Sequence, residues 1–191
     1  MSDAAERHRT HAAAFGARVR GVEAWDAPTP VPGWTARDVV GHLIEWFPGF
    51  LAQGSGIELP AGPSVDEDPV RAWQHHADAV QAVLDDESAA TSTFAHPYVP
   101  AQPLADAIDT IYTSDVFMHT WDLARATGQD DHLDDAECEG LLAGMAQMDE
   151  VLRASGQFGP RVAVPPDADP TARLMGFIGR DPDWSPPSGD A

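Results

Sequence analysis

Lysine is absent from this chain of 191 residues, cysteine occurs once, and no apolar run approaches membrane-spanning length. All eleven basic residues are arginines, set against 31 acidic ones, for a formal net charge of -20. Phosphate recognition draws most of its affinity from clustered Lys and Arg, so this balance argues against nucleic acid and anionic membrane as partners. The acidity reads as solubility, and the missing lysine points to a source genome rich in G and C rather than to a mechanism. Cys138 has no second cysteine for an intrachain disulfide. Asp134, Asp135, Glu137 and Glu139 surround it with negative charge, which raises a thiol pKa and makes it a poor nucleophile. No glycine-rich phosphate loop, G-x-S-x-G elbow or paired C-x-x-C occurs. The start Met1-Ser2-Asp3-Ala4-Ala5-Glu6 lacks the basic then apolar pattern of a secretory signal, so the expected location is the cytoplasm.

What is present is 43% hydrophobic composition in a length suited to one domain. The expectation is a single domain over 1–191 with a flexible tail from about residue 182. Ala4 to Trp25 reads as a first helix, broken by Pro28, Pro30, Pro32 and Gly33. Thr35 with Asp38 three residues on resembles a capping box, so a second helix is expected from Ala36 to about Ala52, with Val39, Val40, Leu43, Phe47 and Phe50 in the core. Pro69 introduces a third, Val70 to Asp86, with Val70, Trp73, Ala77, Val80 and Leu84 spaced at threes and fours. After a connection marked by Pro97, Pro100 and Pro103, Leu104 to Ala126 reads as one long helix ended at Thr127-Gly128. Asp134 to Ala154 reads as another, supported by Leu141, Leu142, Met145, Met148, Val151 and Leu152 and stopped by Ser155-Gly156. A short helix, Thr171 to Ile178, comes last. Arg161 to Val164 is the one stretch read as able to pair locally as strand. The fold class is therefore all-α: four principal helices and added short ones, a scaffold whose metal sites are built from facing helices.

Asp115 and His119 lie four apart on the long helix, which puts a carboxylate and an imidazole on one face, one turn apart. Arg125 lies ten residues from Asp115, about 15 Å of helical rise, too far to neutralise it. An ionised carboxylate in an apolar stripe costs several kcal/mol unless a cation or donor compensates it. His42, flanked by Val39, Val40, Leu43 and Ile44 on the second helix, completes a three-ligand set if the two helices pack together. Three ligands leave positions open, as a catalytic ion requires. Asp122 and Asp38, three after His119 and four before His42, are placed to accept the second ring N–H of each. Glu45 reads as a solvated carboxylate. Trp46 and Trp121 read as core residues that can also floor a cleft. His8, His11, His75, His76, His96 and His132 read as surface or packing residues.

Val31-Pro32-Gly33-Trp34-Thr35-Ala36-Arg37-Asp38-Val39-Val40-Gly41-His42-Leu43 and Phe117-Met118-His119-Thr120-Trp121-Asp122-Leu123-Ala124-Arg125-Ala126-Thr127-Gly128 resemble actinobacterial metal-binding proteins related to the N-terminal domain of mycothiol-dependent maleylpyruvate isomerase, within the DinB/YfiT-like superfamily. Phe177-Ile178-Gly179-Arg180-Asp181-Pro182 resembles the closing motif of that group, so the likeness spans nearly the whole chain. It implies a DinB-like four-helix bundle holding a divalent ion, commonly zinc or nickel, on His42, Asp115 and His119. It also implies mycothiol or a similar low-molecular-weight thiol as cosubstrate, with an electrophilic substrate, in a transferase or isomerase. The isomerase has glutamate where this chain has Asp115, and it carries a further C-terminal domain for which no room is expected here. The alternative is a non-catalytic metal or small-ligand binding protein, and a third is an apo bundle. Association as a homodimer depends on exposed apolar patches that a linear reading does not map.

Overall fold

In the computed structural model, which describes residues 3–154 and 156–187, four long helices form the bundle: α1 (Asp3–Arg20), α2 (Ala36–Ser55), α3 (Pro69–Asp85) and α6 (Ser114–Thr127). α1 packs on α3 and α6, and α2 on α3 and α6. The smaller elements are α4 (Glu87–Ala90), β1 (Thr93–His96), β2 (Val99–Pro103), α5 (Leu104–Ala107), α7 (Asp135–Ala146), α8 (Asp149–Ala154) and α9 (Pro170–Ile178). No helix among the described residues is long and apolar enough to cross a membrane. The expected stop at Ser155 and the last expected tail residues, 188–191, lie outside the described residues.

Local chemistry sets the helix ends. The Thr35 hydroxyl accepts from the Asp38 amide at 3.3 Å, and the Asp38 carboxylate accepts from the Thr35 amide at 2.7 Å, a reciprocal box that starts α2 at Ala36. Gly128, with φ 67°, closes α6 in the left-handed conformation that glycine adopts without steric cost. Asp68 and Asp169 cap α3 and α9, each with proline at the first helical position.

Two apolar clusters meet on α6. The larger fills the bundle with Phe15, Val19, Leu43, Phe47, Leu51, Trp73, Val80, Ile108, Tyr112, Val116 and Leu123 among others. The smaller joins Phe117, Met118 and Trp121 to Cys138 of α7 and to Leu174, Met175, Phe177 and Ile178 around α9. α6 is consequently buried nearly all round, and any charged group on it must find its partners inside the protein.

Five expectations need correction. Leu104 to Ala126 is not one α-helix: a π turn, Ile108–Thr113, separates α5 from α6. An inserted residue rotates the rest of a helix by roughly 100°. The proline-marked connection contains an antiparallel hairpin, β1 with β2, bulged between Phe94 and His96. Both strands of a two-stranded sheet are edge strands, the setting in which proline is tolerated, and Pro100 and Pro103 stand in one of them. Phe94 of this hairpin is buried against Gly54, where a methyl group would stand 2.1 Å from the ring. The expected helix over 134–154 breaks at Gln147-Met148 into α7 and α8, and Met148 and Val151 are exposed rather than core. Val70 is likewise exposed; at the start of α3 it is Pro69 that is buried, with Ala72 and Trp73. Residues 161–164 form no strand; the Val162 amide instead donates to the Gly176 carbonyl at 2.9 Å.

Candidate metal centre

The packing of α2 on α6 brings His42 to Asp115 and His119. His42 Nε2 is 3.3 Å from Asp115 Oδ2, and His119 Nε2 is 3.5 Å from Asp115 Oδ1. One ligand atom from each residue lies within 4.8 Å of the others, and among the described residues this is the group of His, Cys, Asp or Glu side chains that converges in this way. The two imidazoles face each other edge to face at 5.0 Å. His119 is nearly closed off at 6% side-chain exposure, whereas Asp115 and His42 keep 22% and 31%, so solvent reaches the site from the His42 side. There a cleft of about 120 Å3 is lined by Arg37, Asp38, Gly41, His42, Glu45, Ser64, Val65 and Asp66.

Electrostatics bind the three residues together. Burial pushes the Asp115 carboxyl up, but the His119 and His42 imidazoles outweigh it and leave the group below its ordinary value. Burial pushes His119 down, and Asp115 and Asp122 together outweigh it, so the ring holds its proton above the usual histidine range. Without an ion, a proton on His119 compensates the Asp115 charge. A divalent cation can take the place of that proton. Two imidazole nitrogens and one carboxylate oxygen are a donor set suited to zinc and neighbouring divalent metals, with positions left for water or ligand. The residues present fit such an ion.

Behind His119 stands Asp122, fully buried, whose Oδ2 takes the Nδ1 proton at 2.9 Å. A carboxylate only accepts, so in the neutral ring the hydrogen sits on Nδ1 and Nε2 offers its lone pair to the site. Asp38, expected to serve His42 in the same way, does not: its Oδ2 accepts from both the Thr35 amide and the Thr35 hydroxyl at 2.7 Å, and helix capping consumes it. Arg125 lies away from the centre, paired with Asp131 and stacked over Trp121. Trp121 packs in the smaller core, whereas Trp46 borders the site with its ring 6.1 Å from that of His42. Glu45 is exposed on the cleft.

Sequence reasoning missed two neighbours. Trp34 covers both histidines, 4.9 Å from the His42 ring and stacked at 5.7 Å on His119. Its position just before the Thr35 cap is the only local sign of it. Arg180, just beyond α9, pairs with Asp122, with Nε 3.1 Å from Oδ1. The other histidines stay apart from the centre; His8, His11 and His76 are buried packing residues. Cys138 is buried, and its thiol is pushed up to about 11 by burial and by Asp135, Glu137 and Asp134, against a weak contact with Thr171.

The family model of the mycothiol maleylpyruvate isomerase N-terminal domain matches residues 6–124, which hold all three converging side chains. Two uncharacterized proteins of Mycobacterium tuberculosis, from strains CDC 1551 / Oshkosh and ATCC 25618 / H37Rv, are each 32% identical to the chain over 182 residues, 91% of this chain and 95% of theirs. No solved structure matches it.

Proposed function

The chain belongs to the mycothiol maleylpyruvate isomerase N-terminal domain family, and we propose that it holds one divalent ion, zinc or nickel, on His42, Asp115 and His119 for chemistry on a low-molecular-weight thiol such as mycothiol. The observation that carries this reading is the convergence of three donor atoms within 4.8 Å, one of them on an imidazole backed by a buried carboxylate. A bound ion of this kind lowers the pKa of a coordinated thiol or water towards neutrality.

The protein's own residues do the rest. Asp115, shared between the two imidazoles, supplies the negative charge that an incoming cation balances. Asp122 fixes the tautomer of His119, and Trp34 shields both rings from bulk water on one side. The cleft beside His42 is the route by which a thiol and then an electrophilic substrate approach. With Cys138 held as a neutral buried thiol, the nucleophile comes from the cosubstrate, in a transferase or isomerase reaction. We place this activity in the cytoplasm, where small thiols are kept reduced.

A second reading, an ion held without turnover or alongside a small ligand, is favoured by the size of the cleft. At about 120 Å3 it is smaller than the roughly 300–1,000 Å3 usual for small-molecule sites. Elemental analysis of untagged protein tests the common premise: one ion per chain is expected in the wild type and none in His119→Ala. Metal-loaded protein is then mixed with mycothiol and a panel of electrophiles. Thiol consumption that disappears in His119→Ala supports the enzyme; a filled site with no consumption leaves the binding protein. Metal at the wild-type ratio in His119→Ala would sink both.

A further inference from the structure

We propose that Arg180 is a positioning residue for the metal centre, acting on His119 through Asp122; this rests on the metal-binding reading above. Asp122 has no exposed surface, and its two oxygens are divided between two partners. Oδ2 takes the Nδ1 proton of His119 at 2.9 Å. The Arg180 guanidinium grips the carboxylate side-on, Nε to Oδ1 at 3.1 Å and its terminal nitrogen to Oδ2 at 3.2 Å. A two-point grip of this kind fixes the plane of a carboxylate as well as its place, which a single contact does not. The plane of Asp122 in turn sets the direction in which the His119 ring presents Nε2. The relay is therefore guanidinium to carboxylate to imidazole to the donor cluster.

The fold goes to some length to deliver Arg180. Gly179 ends α9 at φ 91°, and the Arg180 amide reaches back to the Met175 carbonyl at 2.9 Å. The turn lies so close to Gly159 that a Cβ on Gly179 would stand 2.8–2.9 Å from the Gly159 backbone. Arg153 holds the same junction by donating to the carbonyls of Phe177, at 2.8 Å, and of Gly159. Arg180 itself is 12% exposed, too buried for a surface ion pair. It also lies past residue 124, where the family match ends. The three donors come from the bundle, while the part that aligns one of them comes from the C-terminal unit packed against α6.

The test uses the full chain as wild type, Arg180→Met, Arg180→Lys, Asp122→Asn and the Arg180→Met/Asp122→Asn double variant. Zinc affinity is measured by competition with a chelating dye. In parallel, the His119 tautomer is read from two-bond 15N–1H spectra of metal-free protein, at a pH that leaves the ring neutral. Loss of a carboxylate or its support behind a ligating histidine typically weakens metal binding about 10–100-fold. A loss in that range is expected for Arg180→Met and Asp122→Asn, partial recovery for Arg180→Lys, and no further loss in the double variant. The tautomer signal should shift from Nδ1–H towards a mixture in Arg180→Met. Wild-type zinc affinity together with a wild-type tautomer in Arg180→Met overturns the proposal. If Arg180→Met does not fold, the same two quantities in Arg180→Lys decide: both unchanged from wild type overturn it, whereas weaker zinc binding with a tautomer shift supports it. If the wild type takes up no zinc, the metal-binding reading fails, and the tautomer spectra still decide whether Arg180 aligns His119.

Discussion

Acid should destabilise the metal-free protein through His76, a residue outside the three converging donors. Its ring lies inside the bundle, 5.6 Å from Tyr112 and 6.2 Å from Phe47, and its Nε2 has no hydrogen-bond partner among the described residues. Burial, with smaller contributions from His8 and His75, pushes its pKa down to about 4 from an ordinary 6.5. The folded protein therefore refuses a proton that the unfolded chain accepts. Between those two values the unfolded state binds more protons, so stability is fully present above pH 6.5 and is lost as pH falls towards 4. At 1.36 kcal/mol for each pKa unit, the loss attributable to this one ring is about 3 kcal/mol. Urea denaturation with a chelator present throughout, at a series of pH values from about 7.5 down to 4, measures it in wild type and His76→Leu. Leucine matches histidine closely in volume and removes the titration. The wild type should lose about 3 kcal/mol more than the variant over this range. His8, also pushed down by burial, titrates in the same direction in both proteins and largely cancels in the difference. Parallel curves would refute the reasoning, because they would mean that water or a partner already solvates the His76 cation in the fold.

Tyr112→Phe should stabilise the protein by about 1 kcal/mol, raising Tm by roughly 2–4 °C, because its buried hydroxyl has no partner among the described residues and its ring keeps the Phe47 stack. A lower Tm in calorimetry would show that the hydroxyl is bonded after all. Gly54→Ala should cost about 1–3 kcal/mol by driving a methyl group into Phe94; unchanged stability in denaturant would count against the close approach of hairpin and helix. Zinc at a hundred times its dissociation constant should add about 2.7 kcal/mol to stability, and a chelator should remove it. That affinity should weaken as pH falls through the raised pKa of His119, since ion and proton compete for one lone pair, and calorimetric titration across pH reads the trend directly.

A feature of this protein is legible in the sequence to the extent that neighbours in the chain determine it. The starts and stops of the bundle helices rest on such neighbours, so Thr35 with Asp38, Pro69 and Gly128 could be read one residue at a time. The Asp115 and His119 pairing needs only helical periodicity, and His42 needs one further assumption, that α2 packs on α6. The π turn escaped because no glycine or proline between Leu104 and Thr127 signals a break; Ile108 and Tyr112 within it are buried in the larger core. The break at Gln147-Met148 escaped for the same lack of a local signal, and the apolar Met148 and Val151 gave no warning of their exposure. Asp38 and Asp122 show where spacing alone stops. Each carboxylate lies one turn from a histidine, yet Asp38 sits in the first turn of its helix, where unpaired amides claim its oxygens before any imidazole can. Asp122 lies in mid-helix with no free amide to cap, and, fully buried, it is met among the described residues by His119 and Arg180. The rule that separates them is where the free backbone donors are, and it assigns a carboxylate near a helix start to the cap unless the histidine is in that same turn.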